Sequence, residues 1–387
     1  MNLFVANDIG NSETKMNVNK MVFKQPSVIK RVFQTPSVHE TDVQKNVSNL
    51  LDELWVNINS GAIKRNGDFF IGNRANASAD MVENMNIKLG NKYKHDIPVI
   101  VTLGTLAGRS VQLAYEDQNE LPPSLEVNIF MTSAIPASEY NPKRAKELED
   151  RFLNHQHIII VNVGDKRVTV TLSFQKVKVT QEGVPALYAL VEADQMILNH
   201  YHESYPEDQK LNPKDFSNKK ILHADIGDGT TEYIYTVGLN ANLDACSGER
   251  RGVGHATELA VKMLSDELEG YVNYNRQKLM EVIQDPSHPH HELAKQYMHE
   301  ARYAQAHLIL EDLQEKYMTN AASQVDIIAV YGGGSIQFKE ELYEGLLNFA
   351  EEVKCKVLWI PEEYAVDMNV NGMHVLNNKL LFKKVMG

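Results

Sequence analysis

Cysteine is nearly absent from this 387-residue chain, which carries only Cys246 and Cys355. Two cysteines cannot build a disulfide framework and are too few for a cysteine-based zinc or iron–sulfur site, so a reduced, cytoplasmic setting fits best. Positive charge is also short. The net charge of −12 at pH 7 argues against coating nucleic acid or an anionic membrane by bulk charge, because neutralising phosphates needs Lys and Arg in excess. The opening MNLFVANDIGNSE lacks the basic start and apolar stretch of a signal peptide, and no apolar run approaches the roughly 18 residues of a membrane span. The chain therefore reads as soluble and intracellular. Two phosphate motifs are missing as well. Gly10 to Lys15 lacks the second glycine of G-x-x-x-x-G-K-[ST], and GDGTTE at 227–232 ends in Glu232 where the dinucleotide fingerprint has Gly. A P-loop ATPase or a Rossmann dehydrogenase is disfavoured.

What is present is a chain long enough for roughly two to three domains, 43% apolar, with a weak internal repeat. Leu3 to Ala6 feeds into DIGNSETKMNV at 8–18, and Ile221 to Ala224 feeds into DIGDGTTEYIY at 225–235. Asp8 matches Asp225, Ile9 matches Ile226, Gly10 matches Gly227 and Thr14 matches Thr231. Each copy reads as an apolar strand ending in Asp, a glycine-bearing turn and a second strand, which is a β-hairpin used twice. Copies so far apart cannot be solenoid repeats, whose periods run from about 20 to 50 residues. They suggest two homologous α/β domains.

The remaining pattern supports the α/β class. Residues 69–72, 97–103, 125–135, 157–163, 166–179 and 325–331 read as strands. Helices are expected over 104–117, opening after Gly104, and over 141–153, where Asn141 and Pro142 make a cap and a first-turn proline. Pro185 marks another start. Long helical stretches follow at 253–268 and 290–318, the latter with a core stripe of Leu293, Tyr297, Ala301, Ala304 and Leu308. A further helix runs from the glycines at 332–334 to about Val353. DPSHPHHE at 285–292, with His288, His290 and His291, reads as a solvated loop rather than a metal site.

Three glycine-bearing turns, at 8–15, 225–232 and 332–335, directly follow apolar strands. Consecutive main-chain N–H groups in such turns form anion-binding concavities, so together they suggest a bound nucleotide. Asp8 and Asp225 at the hairpin heads suit Mg²⁺, which is held through one or two carboxylates plus phosphate oxygens. Lys15 can neutralise phosphate and Ser12 can donate a hydroxyl hydrogen bond. Glu182, between a strand and a helix in TQEGVP, can orient or deprotonate a water, although an acidic residue there also suits a helix N-terminus.

In order and rough spacing, DIGNSETK, QEGVPALYAL at 181–190, DIGDGTTEYIY and VYGGGS at 330–335 resemble the actin-type nucleotide-binding superfamily of actin, the Hsp70 ATPase domain and the sugar kinases. SAIPASEYN at 133–141, EGVPA at 182–186, RGVGHATELAVK at 251–262 and VNGMHVL at 370–376 make the chain most similar to the ParM-type bacterial actins. The second hairpin departs from their usual D-x-G-G-T-T through the extra Asp228, residues 31–94 match only at FFIGNRA, and the 270–292 loop is individual.

The resemblance implies an actin-like two-domain ATPase fold with an interdomain nucleotide cleft. Residues 1–185 would form one domain with an insertion at about 31–94. Residues 186–387 would form the other, with an insertion at about 253–320, and the final helix is a candidate to return to the first domain. Gly10, Asn11, Ser12 and Lys15 would serve one phosphate hairpin, and Gly227, Asp228, Gly229 and Thr230 the other. Gly332, Gly333, Gly334 and Ser335 would line the adenosine side, with Lys262 approaching base or ribose. Asp8 and Asp225 would hold Mg²⁺, and Glu182 matches the water-positioning glutamate of ParM and the glutamine of actin. The implied activity is hydrolysis of ATP, or of GTP in its place, coupled to filament assembly. The implied partners are further copies of the chain and a centromere-binding adaptor of the ParR type, with plasmid DNA reached only indirectly and no membrane. A small-molecule kinase of the same superfamily is the alternative.

Overall fold

The computed structural model describes residues 1–386 apart from 35, 37–39, 79–80, 86–89 and 207–209. Two compact units result. Unit 1 comprises Met1–Ile135, Glu139–Gln181 and Val370–Gly387, and unit 2 comprises Pro136–Ser138 and Glu182–Asn369.

Among the described residues, unit 1 is built on ten strands: β1 (Asn2–Ile9), β2 (Glu13–Val18), β3 (Met21–Pro26), β4 (Val28–Val32), β5 (Trp55–Ser60), β6 (Gly67–Ile71), β7 (Val82–Asn84), β8 (Ser124–Ile135), β9 (His157–Val163) and β10 (Lys166–Gln181). They pair in the order β3-β2-β1-β8-β10-β9-β5-β6-β4-β7. Unit 2 holds β11 (Lys220–Ile226), β12 (Thr231–Val237), β13 (Asn240–Ala241), β14 (Ser247–Glu249), β15 (Ile327–Tyr331) and β16 (Lys356–Trp359). Their order is β13-β12-β11-β15-β16, with β14 also on β12. The internal repeat is structural. Both hairpins have the same register, Asp8 opposite Lys15 and Asp225 opposite Glu232. In each unit the first hairpin strand also runs parallel to a later strand, β1 with β8 and β11 with β15.

The apolar run of β15 is buried on both sides. Ile328 and Val330 face a core shared with the helices Val253–Glu267, Arg276–Gln284, His291–Thr319 and Lys339–Glu352. Ile327, Ala329 and Tyr331 face the opposite core, with the helices Val184–Val191 and Gln195–Ser204. A sheet covered by helices on both faces needs this unbroken apolar pattern. In unit 1, small residues Ala6 and Ala134 let Val370 and Met373 of the Met368–Leu376 helix pack against the sheet. Asn377 then donates to the Val5 carbonyl at 2.9 Å.

Several elements match their signals. Asn141 caps the Pro142–Leu153 helix by accepting from the Arg144 amide, and β9 and β10 turn at Gly164-Asp165. Others need correction. Residues 97–103 are not a strand, because Asp96–Gln118 is one continuous helix in which every position from Ile97 to Gln112 is buried. A fully buried helix shows no amphipathic period, so the β-branched run imitates a strand. Gly104 does not open the helix but brings it close to β6, where a Cβ would lie 2.2 Å from Ile71 Cδ1. The same helix is long and apolar enough to cross a membrane by length and composition, and it is a core element of unit 1.

The helical run after Pro185 is interrupted. It restarts at Gln195 beneath Asp194, whose carboxylate accepts from the Met196 amide. The region after β15 is likewise two helices, Gly333–Gln337 and Lys339–Glu352. In the His291–Thr319 helix the expected stripe is out of phase. The buried positions are His291, Ala294, Met298, Ala301, Ala306, Ile309, Leu313, Lys316 and Tyr317; of the expected residues Ala301 is among them, Leu293, Tyr297 and Leu308 are only partly buried, and Ala304 is exposed.

That phase is testable by charge insertion. Ala301→Glu should cost several kcal/mol in denaturant unfolding because it buries an unpaired carboxylate, whereas Ala304→Glu should change stability by less than about 0.5 kcal/mol. Equal effects would contradict the phase.

Candidate functional site

In unit 1 the first hairpin closes around Gly10, whose amide donates to the Asp8 carbonyl at 3.2 Å. Cross-strand pairing sets Lys15 beside Asp8, with Nζ 3.9 Å from Oδ2 and both side chains largely buried. Asn11 is half-buried and Ser12 exposed at the tip. Ser27 braces the turn by donating to the Gly10 carbonyl at 2.7 Å. A cation with no distinctive sequence signal also reaches this place: Lys92, 5% exposed, donates to the Ile9 carbonyl at 2.6 Å.

The second hairpin, in unit 2, has the same backbone and different chemistry. Its loop is tied by the Gly227 amide to the Thr230 carbonyl at 2.8 Å. The loop backs onto the Val253–Glu267 helix, with the Asp228 carbonyl accepting from the Gly254 amide at 2.8 Å and the Gly229 carbonyl 2.9 Å from His255 Nε2. The Asp228 carboxylate pairs with Arg276 at 3.1 Å, which gives this extra acidic residue a partner within the protein. Gly229 is buried, Thr230 is half-buried, and Lys262 lies exposed on the helix.

Where the first hairpin sets a lysine opposite its aspartate, the second sets Glu232 opposite Asp225. Glu232 is 2% exposed and accepts from the Ala137 amide at 2.8 Å. Burial pushes its carboxyl up to about 8, the nearby Glu182 charge adds to the shift, and Asp225 contributes further; the Thr230 hydroxyl and the Ala137 amide oppose it. Glu182 and Asp225 therefore flank a carboxyl that keeps its proton at neutral pH. Glu182 itself is buried and opens the long segment of unit 2.

Two neighbours complete the group. Gly332 follows β15 with φ +88°, and a Cβ there would meet Asp225 Oδ1 at 2.5 Å and the Ile226 carbonyl at 2.4 Å, so only glycine lets this turn close onto the hairpin. Gly334 presses against Ile226 and Gly227 in the same way, a Cβ on Gly333 would make only ordinary contact with Val366 at 3.7 Å, and the Ser335 hydroxyl is spent on the Gly332 carbonyl at 2.8 Å. Asn369 donates to Asp225 Oδ2 at 2.6 Å and accepts from the Gly183 amide at 3.0 Å.

Of the residues singled out in the sequence, unit 2 thus gathers Glu182, Asp225 and Gly332, while Lys262 is exposed on its helix. Glu232 and Asn369 went unrecognised. The signal for the first was the acidic end of DIGDGTTE, a motif symmetric with a lysine-bearing one; the second adjoins VNGMHVL.

No protein-family model matches the sequence, and no curated protein is significantly similar to it. Solved structures are similar over the whole chain. The actin-like protein Alp7A has a TM-score of 0.70 at 16% identity, covering 100% of this chain and 98% of that one. The fold is actin-like. A non-polymerisable quadruple mutant of pCBH ParM has a TM-score of 0.68 at 15% identity, covering 98% and 100%. Bacillus thuringiensis ParM with ATP has a TM-score of 0.58 at 14% identity, covering 99% of each chain.

The raised Glu232 carboxyl predicts a pH dependence. Unfolded, Glu232 loses its proton near 4.5; folded, it keeps it to about 8. The folded state binds the extra proton between those values, so this group's contribution to stability is lost as pH rises through that window. In thermal unfolding without nucleotide or metal, Glu232→Gln should gain on wild type as pH rises from about 4.5 to about 8. A constant difference between the two would show that Glu232 is ionised.

Proposed function

We propose that this actin-like chain is an ATPase that polymerises in a nucleotide-dependent way. The observation that carries the reading is the group formed by Asp225 and buried Glu232 on the second of two equivalent D-x-G hairpins together with buried Glu182. The hairpin turns bind phosphates through main-chain N–H groups. In unit 2 Asp225 would present a carboxylate oxygen to Mg²⁺; on the equivalent hairpin of unit 1 Asp8 would be suited to the same role and Lys15 would offer charge to phosphate. A carboxylate such as Asp225 suits an ion bound partly by phosphate oxygens. Such an ion supplies charge neutralisation at the phosphates when bound.

Glu182 is the residue that handles water. Its carboxylate orients the attacking molecule and accepts its proton. Gly332, Gly333 and Gly334 take the adenosine side. ATP is the favoured nucleotide, with GTP as the alternative, and the structure of Bacillus thuringiensis ParM with ATP supports that choice. Assembly into filaments moves plasmid DNA through a ParR-type adaptor in the cytoplasm. The −12 charge agrees with indirect contact to DNA.

Phosphate release from Mg-ATP without any acceptor, together with light scattering, tests the reading. Scattering should rise with ATP and stay low without it; equal scattering in all nucleotide states would remove the switch, and release only on adding a sugar or acid would mark a kinase. Asp225→Ala should abolish most Mg²⁺-dependent affinity. Glu182→Ala should lower hydrolysis by roughly 10²–10³ yet leave nucleotide binding intact and filaments longer-lived. Unchanged hydrolysis in that variant would return Glu182 to a structural role.

A further inference from the structure

Glu182 stands at the start of unit 2's long segment and Asn369 at its end. The two ends are bonded together. The peptide N–H that links Glu182 to Gly183 donates to Asn369 Oδ1 at 3.0 Å. The same amide side chain donates from Nδ2 to Asp225 Oδ2 at 2.6 Å. Its orientation is dictated by the partners, since a main-chain N–H needs an acceptor and a carboxylate needs a donor. Asn369 is 8% exposed.

Gly183 is held on its other side as well. Its carbonyl accepts from the Tyr331 hydroxyl at 3.2 Å. Tyr331 is fully buried, and burial together with the Asp225 charge keeps its hydroxyl protonated as a donor. The residue between these two bonds has φ +80°, and a Cβ on it would meet Ile234 Cγ1 at 2.4 Å. Glycine alone satisfies both conditions. The main chain immediately after Glu182 is therefore fixed by an amide, a phenol and a side chain of β12, which limits the directions open to the Glu182 carboxylate.

We infer that Asn369 is a positioning residue for hydrolysis: it locks the Glu182–Gly183 peptide to the Asp225 carboxylate, so that the water-orienting group and the metal-facing group keep one fixed relation. The inference rests on the ATPase reading above and assigns that reaction a residue it did not include. Asn369 touches neither water nor phosphate in this role. It acts through Glu182 and Asp225. Aspartate in its place would keep the acceptor for Gly183 but set a carboxylate against Asp225, and alanine would lose both bonds.

The test compares wild type, Asn369→Ala, Glu182→Gln and the double variant, all full-length. Hydrogen exchange at the Gly183 amide should accelerate by at least about tenfold in Asn369→Ala, because its acceptor is gone. Turnover of Mg-ATP should fall by roughly 10- to 100-fold, the scale of a misplaced catalytic group, with nucleotide affinity held within about threefold. In the Glu182→Gln background the same Asn369→Ala change should cost less than about twofold, since residues that act as one unit are not additive. A purely structural residue would give additive losses.

Additive losses, or unaltered Gly183 exchange, overturn the inference while leaving the ATPase reading in place. Absence of phosphate release from wild-type protein that binds Mg-ATP overturns the ATPase reading, and the inference falls with it. Should Asn369→Ala fail to fold, Tyr331→Phe removes only the hydroxyl bond to Gly183. It should show a smaller loss of turnover that again vanishes beside Glu182→Gln, and a loss that persists there counts against the clamp.

Discussion

Three carboxyl groups at one end of the unit 2 sheet, Glu182 and Glu232 buried and Asp225 partly so, set the conditions for everything around them. Glu182 and Asp225 both act electrostatically on Glu232, which is buried and keeps its proton up to about 8. Like charges in a medium of low dielectric repel too strongly for all to ionise, so one is neutralised by a proton and the others by donors. The Asn369 amide is such a donor for Asp225, and protonated Glu232 also accepts from the Ala137 amide. Both the clamp on Gly183 and the close approach of Gly332 pack protein against the Asp225 carboxylate.

The sheet topology explains why the groups meet. A hairpin strand paired in parallel with a later strand brings Asp225 level with Tyr331, and antiparallel pairing brings Glu232 level with Asp225. Unit 1 repeats the scheme with Lys15 opposite Asp8, a pair of opposite charge 3.9 Å apart. One backbone motif thus carries a near-neutral pair in one unit and an acidic pair in the other. The difference is a single side chain at equivalent positions, and it gives the two hairpins different electrostatics on a shared frame.

Local signals were readable wherever the physics is local. The Asn141 cap, the Gly164-Asp165 turn and both D-x-G hairpins depend on a few adjacent residues and form as their sequence indicates. The readings that failed concern burial. Residues 97–103 carry a strand's composition inside a helix because the whole helix is enclosed. The stripe on the His291–Thr319 helix was displaced because partly buried Leu293 and Tyr297 border the core, while the core-facing row uses small alanines whose burial leaves little trace in composition.

The sequence by itself determined the α/β class, the paired hairpins and the candidates Asp8, Glu182 and Asp225, because strand, turn and acidic residue sit next to one another in each motif. Only the tertiary structure decided which groups share an environment. Glu232 became a protonated carboxyl through burial beside Glu182, a residue 50 positions earlier in the chain. Asp228 acquired Arg276, and Asp225 and Gly183 acquired Asn369, across separations of 48, 144 and 186 residues. The state of a buried charge depends on the dielectric and the partners around it, and those exist only once distant segments have folded together.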